Sequence, residues 1–150
     1  MVGSVLTICA GNICRSPMAA AVLQHAIEQA HLPVRVESAG LIALAGEPAD
    51  PLAVALMAER GLDIRGHRAR QADPGWLSAC ELLLVMERGQ QQIIEASWPA
   101  LRGRVYRWGH WQDFDVPDPY GRDENAFREA LRAIDRGLSL WAEKLGINAA

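Results

Sequence analysis

Ser4-Val5-Leu6-Thr7-Ile8 runs directly into Cys9-Ala10-Gly11-Asn12-Ile13-Cys14-Arg15-Ser16-Pro17, and these two pieces together decide the fold. The first is short, β-branched and mostly apolar, the pattern of a strand. Gly11-Asn12 follows, where left-handed backbone conformations cost little and the chain can turn its amides inward. Ser16-Pro17 then reads as a helix opening, with Ser16 as N-cap and Pro17 at the first helical position. The helix continues from Met18 to Ala30, with apolar residues at Met18, Val22, Ile27 and Ala30. A strand's carboxyl end joined to a helix's amino end is where open α/β sheets place their ligands.

The chemistry follows from the residues that bracket the turn. Cys9 and Arg15 enclose five residues, Ala10, Gly11, Asn12, Ile13 and Cys14. Main-chain N–H groups curled around a centre at a helix N-terminus bind a tetrahedral oxyanion. The same field favours a thiolate over a thiol, which makes Cys9 the candidate nucleophile. Arg15 adds a planar fork that grips two phosphate oxygens. Ser16 is placed to donate its hydroxyl to the thiolate, or to serve as a cap, or both. The nucleotide-type phosphate loop is excluded, because no Gly-Lys-Ser/Thr ending is present. Cys14 has two readings: a partner that forms a protective disulfide with Cys9, or a small apolar residue beneath the loop.

Outward from this loop, strand-like and helix-like segments alternate, the mark of a parallel sheet with crossover helices. Val34–Ser38 reads as an edge strand, Pro51–Arg60 as a helix closed by Gly61, and Leu82–Met86 as a central strand buried on both faces. Gln90–Ala96 reads as a helix and Arg104–Trp108 as the last strand. Phe127, Leu131, Ile134, Leu138, Trp141 and Leu145 recur at three- and four-residue steps, so a C-terminal helix packs one stripe on the sheet. One domain over residues 1–150 is expected, and 150 residues are enough to bury a real core. A net charge of −3 with no basic cluster argues against a nucleic-acid partner. Met1 leads into the first strand without a leader pattern, and no stretch approaches the roughly 20 apolar residues that span a bilayer. Three cysteines suit a reducing compartment rather than a disulfide framework, so a cytoplasmic location without membrane insertion is expected. Cys9 and Cys14 also lack the second ligand pair that zinc requires.

Cys9-Ala10-Gly11-Asn12-Ile13-Cys14-Arg15-Ser16-Pro17 closely resembles the signature of the low-molecular-weight protein tyrosine phosphatases. Asp118-Pro119-Tyr120 matches the second signature of that family, and Glu37-Ser38-Ala39-Gly40 and Gly66-His67-Arg68-Ala69-Arg70-Gln71 resemble intervening segments. Gly109-His110-Trp111 and Val116-Pro117-Asp118-Pro119-Tyr120 look most like bacterial members that oppose tyrosine autokinases of exopolysaccharide or capsule export. The resemblance implies a flavodoxin-like, phosphatase I-like three-layer α/β fold with a four-stranded parallel sheet in the order 2-1-3-4. It implies hydrolysis of phosphotyrosine through a cysteinyl-phosphate on Cys9, with Arg15 as phosphate clamp.

By the same resemblance, Asp118 is singled out from Asp113, Asp115 and Asp123 as the general acid and base. Tyr120 is expected to flank the entrance, with Leu44 a candidate for the opposite wall. Asn12 is expected to fix the loop's shape, with His67 either its partner or a surface histidine. No cofactor and no metal are called for, since the loop and Arg15 supply what Mg²⁺ supplies elsewhere. The implied partner is a phosphotyrosine protein, a bacterial tyrosine autokinase. Two rival readings remain: arsenate reduction on the same fold and a non-catalytic phosphotyrosine-binding module. Cys80, alone and before the third strand, does not supply the cysteine pair that arsenate chemistry relays through.

Overall fold

Four parallel strands in the order β2-β1-β3-β4 form the sheet of the computed structural model, which describes residues 2–147. They are β1 (Ser4–Cys9), β2 (Arg35–Gly40), β3 (Leu82–Val85) and β4 (Val105–Arg107), connected through the helices α1 (Arg15–Gln29), α2 (Pro51–Glu59), α3 (Pro74–Ala79) and α4 (Arg88–Ser97). The chain closes with α5 (Glu124–Lys144). Cys9 registers with Gly40, Ile8 with Val85, and Leu83 with Val105. This is the expected order with β2 at an edge. Met1 and residues 148–150 of the expected domain lie outside the described residues.

Side-chain alternation divides the interior into two layers. Val5, Cys9, Leu82 and Leu84 face the core shared with α1, α2 and α5, where Met18, Leu23, Phe127 and Ile134 are buried. Leu6, Ile8, Leu83 and Val85 face the opposite core, closed by Leu77 of α3, Ile94 of α4 and Leu101. Of the two central strands, buried on both sides, β3 is a continuous apolar run and β1 is apolar apart from Ser4 and Thr7. Trp108 is fully buried just after β4, and its Nε1 donates to the Ile134 carbonyl of α5 at 2.9 Å. The stripe from Phe127 to Leu145 packs as its periodicity requires.

One local expectation fails. Ser16 is not the N-cap of α1. The helix begins at Arg15, Cys14 occupies the cap position, and no side chain caps it. Ser16 already lies inside the helix, and its hydroxyl turns to Asn12 Nδ2 at 2.7 Å and Cys9 Sγ at 2.9 Å instead of to the helix amides that a cap would serve. The six-residue helix α3 has no counterpart in the sequence reading, because its Pro-Gly-Trp-Leu-Ser-Ala carries no helical period.

Candidate active site

At the carboxyl ends of β1 and β3, residues 9–15 curl so that their carbonyls point outward into the protein. Six consecutive carbonyls are taken. Cys9 O, Ala10 O and Gly11 O accept from the amides of Leu41, Ile42 and Leu44, each at 3.0 Å. Asn12 O faces His67 Nε2 at 2.7 Å, Ile13 O accepts from Asp50 N at 2.8 Å, and Cys14 O accepts from Met18 N at 3.3 Å. Among the described residues, the amides of Ala10 through Cys14 donate to no other protein group. A set of free amides ahead of a 15-residue helix is a site for an oxyanion.

Asn12 enforces this shape. It sits at φ 61°, the left-handed conformation that asparagine tolerates, and is fully buried. Its Nδ2 donates to Ser16 Oγ at 2.7 Å and to Ser38 Oγ at 3.1 Å, while Oδ1 accepts from Arg70 N at 2.9 Å. Gly40 permits the close approach of β2, since a Cβ there would stand 2.6 Å from Ala10 O. His67 is the partner of this network rather than a free surface residue. Burial, above all, lowers its pKa, and the nearby Arg70 and Arg68 add to that against the opposing pull of the Asn12 bond. The neutral ring must therefore carry its proton on Nε2 to donate to the Asn12 carbonyl.

Cys9 lies at the floor of the cleft, with Sγ 2.9 Å from Ser16 Oγ. Because Ser16 Oγ already accepts from Asn12, its own proton is free for the sulfur; the alternative acceptor, Ala39 O, is 3.4 Å away. Arg15 is 2 % exposed. Its Nη1 donates to Glu87 Oε1 at 2.5 Å and to Val116 O at 2.9 Å, and its Nη2 is 3.7 Å from Asp118 Oδ2. Cys14 is a buried thiol like Cys9, but burial, with Asp50 and Cys9 adding to it, pushes its pKa far up and keeps it protonated.

The cleft holds about 280 Å³, and Asp118, Leu44 and Tyr120 are among the residues that line it. Asp118 Oδ1 accepts from the Tyr120 amide at 3.1 Å, which turns the other carboxylate oxygen toward Arg15. Among the described residues no cluster of His, Cys, Asp and Glu could hold a metal ion. A buried thiol, inward amides, a guanidinium and a carboxylate around one apolar-walled cleft can support transfer of a phosphoryl group to sulfur.

Residues 4–150 match the family model described as low molecular weight phosphotyrosine protein phosphatase. The chain belongs to that family. It is 45% identical over 145 residues to a probable low molecular weight protein-tyrosine-phosphatase, EpsP, of Ralstonia nicotianae, covering 97% of each chain. The tyrosine phosphatase Wzb of Escherichia coli K30, solved with sulphate, superposes with a TM-score of 0.89 at 35% identity, over 97% of this chain and 99% of that one. Vibrio vulnificus Wzb, solved with benzylphosphonate, gives 0.89 at 34% identity, over 96% of this chain and 99% of that one.

Three features of this phosphatase's site escaped the sequence reading. Glu87 holds Arg15, yet its only local sign is an acidic residue at the end of a central strand. Ile42, 80 % exposed, lines the cleft beside Leu44. Ser38 joins the Asn12 network from β2, a contact across 26 residues that no local pattern reveals.

Proposed function

We propose that this chain hydrolyses phosphotyrosine in proteins by way of a phosphocysteine on Cys9. The observation that carries this reading is the convergence of Cys9, Arg15 and Asp118 on one narrow cleft with an apolar mouth. The aryl group of phosphotyrosine packs between Tyr120 on one side and Leu44 with Ile42 on the other. A phosphoserine, having no ring, fills that mouth poorly and stops short of the sulfur.

In the first step Cys9 Sγ attacks phosphorus, the S–P bond forms, and the bond to the tyrosyl oxygen breaks. Asp118 gives its proton to that oxygen, which otherwise leaves as a poor phenolate. Amides of Ala10 to Cys14 and the Arg15 guanidinium hold the equatorial oxygens through the change of charge. In the second step water attacks phosphorus, Asp118 takes its proton, and the thiolate departs toward the Ser16 hydroxyl. Phosphate is released and the site is restored.

The partner we infer is a bacterial tyrosine autokinase governing exopolysaccharide or capsule production. Support comes from the likeness to EpsP and Wzb along the whole chain, and from Val116–Tyr120 at the cleft. The arsenate reading lacks the cysteine pair it relays through: Cys80 precedes Leu82, which registers with Val5, so it lies at the sheet end opposite Cys9.

Turnover of aryl phosphates by wild type, Cys9→Ser and Asp118→Ala, with arsenate reduction run in parallel, tests the proposal. Cys9→Ser should be inactive, and Asp118→Ala should lose roughly 10²–10⁴-fold. Undiminished turnover by Cys9→Ser, or reduction of arsenate faster than phosphate release, would overturn it.

A further inference from the structure

The segment that carries Asp118 is an exposed loop, yet it is fastened to the sheet by a cluster of charges that the reaction itself does not use. Arg107, the last residue of β4, has a side chain only 10% exposed. Its Nη1 donates to Asp115 Oδ1 at 2.9 Å and its Nη2 donates to Asp113 Oδ1. Asp113 Oδ1 also accepts from Arg88 Nη2 at 2.8 Å, and Asp115 Oδ1 accepts from the Arg88 amide at 3.0 Å. Two successive turns of the loop are thus tied to β4 and to the first residue of α4.

The fastening continues toward Asp118. Val116 N donates to Met86 O at 2.9 Å, and Val116 O accepts from Arg15 Nη1 at the same distance. Beyond Val116 the chain reads Pro117-Asp118-Pro119. Each proline fixes its own φ and confines the residue before it to extended backbone. From the Val116 anchor to the carboxylate there is consequently a short, stiff arm. A shift at Asp113–Asp115 that displaces Val116 from its bonds to Met86 and Arg15 carries Asp118 with it.

We propose that Arg107 and Asp115, with Asp113, are positioning residues that set Asp118 for proton transfer to the leaving oxygen. They touch neither substrate nor sulfur; they act by fixing where the arm begins. The inference rests on the reading of Asp118 as general acid. The carboxylates are exposed and the guanidinium is not, so removing them leaves a mostly buried charge without its partners, which suits a fixed anchor. A misplacement of about 1 Å at a reacting group costs up to 10²-fold.

A leaving-group series separates this role from a merely structural one. Asp113→Asn/Asp115→Asn and Asp115→Asn are compared with wild type and Asp118→Asn. The readout is kcat/KM for aryl phosphates ranging from p-nitrophenyl phosphate to phenyl phosphate. An acidic phenol leaves without help, whereas phenol needs the acid, so a misplaced acid harms only the poor leaving groups. The double variant should lose about 10–10²-fold on phenyl phosphate and less than about threefold on p-nitrophenyl phosphate, imitating Asp118→Asn in weaker form. If Asp118→Asn shows the steep dependence and the folded double variant shows none, the positioning role is wrong while the acid stands. Equal losses across the series would also overturn it, as damage to Arg15 or the fold. If Asp118→Asn itself is flat, the reading of the acid fails first and takes this inference with it. Circular dichroism reports folding, and should the double variant be unfolded, Asp115→Asn alone decides between these outcomes.

Discussion

Ser16 Oγ accepts from Asn12 Nδ2 and points its remaining proton at Cys9 Sγ, so one hydroxyl links loop shape to sulfur chemistry. In the proposed reaction this hydrogen bond strengthens as charge returns to sulfur, so it is worth most when the thiolate leaves phosphorus. Ser16→Ala should slow breakdown of the phosphoenzyme more than its formation. A hydrogen bond to a charged group is worth about 1.5–3 kcal/mol, so kcat should fall about 10–10²-fold, with a burst of phenol appearing before steady state. An unchanged kcat without a burst in stopped-flow would show that the hydroxyl is idle. Sequence alone placed Ser16 correctly against Cys9 but misassigned it as a cap. Ser-Pro at a helix start usually caps; here the helix has already begun at Arg15, and the hydroxyl is engaged by Asn12 and Cys9, partners no local pattern shows.

Among the elements, α5 shows most plainly how a helix and a strand end are fitted together. Gly137 forms a notch in the helix, and a Cβ there would stand 2.3 Å from Trp108 Cδ1 and 2.8 Å from Trp108 O. Trp141 Nε1 donates to that same carbonyl at 2.8 Å, so the tryptophan backbone cannot retreat freely. Alanine is favoured over glycine in a helix by about 1 kcal/mol, but overpacking costs about 1–3 kcal/mol. Gly137→Ala should therefore lower the urea midpoint; a raised midpoint would mean the notch is not filled as described. The helical stripe of α5 and the apolar run of β3 were legible because each face is set by burial in its own period. Edges of elements were legible to within two or three residues. The helix α3 was not legible, nor were Glu87, Ser38 and Arg107, because their roles rest on partners distant in sequence or on very short segments. Asp113 and Asp115 were visible only as neighbours of Asp118.

Across the whole molecule, the parallel sheet brings the ends of β1, β3 and β4 to one side, and every group around the cleft hangs from that side. Stability and site geometry are thus coupled through residues such as His67, which ties residues 64–70 to the loop at Asn12. Because burial lowers the folded-state pKa of His67 below its ordinary 6.5, the unfolded chain binds the proton first as pH falls. By linkage, the stability this residue contributes is full above about pH 6.5 and is lost as pH falls through the lowered folded value. The unfolding midpoint of wild type should drop between pH 7.5 and 5 by more than that of His67→Gln, which keeps an N–H donor but cannot titrate. Equal drops would remove His67 from the linkage. The proposed reaction places a phosphoryl group on one sulfur. Acid-quenched reaction with an aryl phosphate, followed by peptide mass spectrometry of wild type and Cys9→Ser, measures that directly. Phosphate on Cys9 of wild type, and on no residue of the variant, is the outcome predicted; turnover with no phosphorylated Cys9 peptide at any quench time would contradict it.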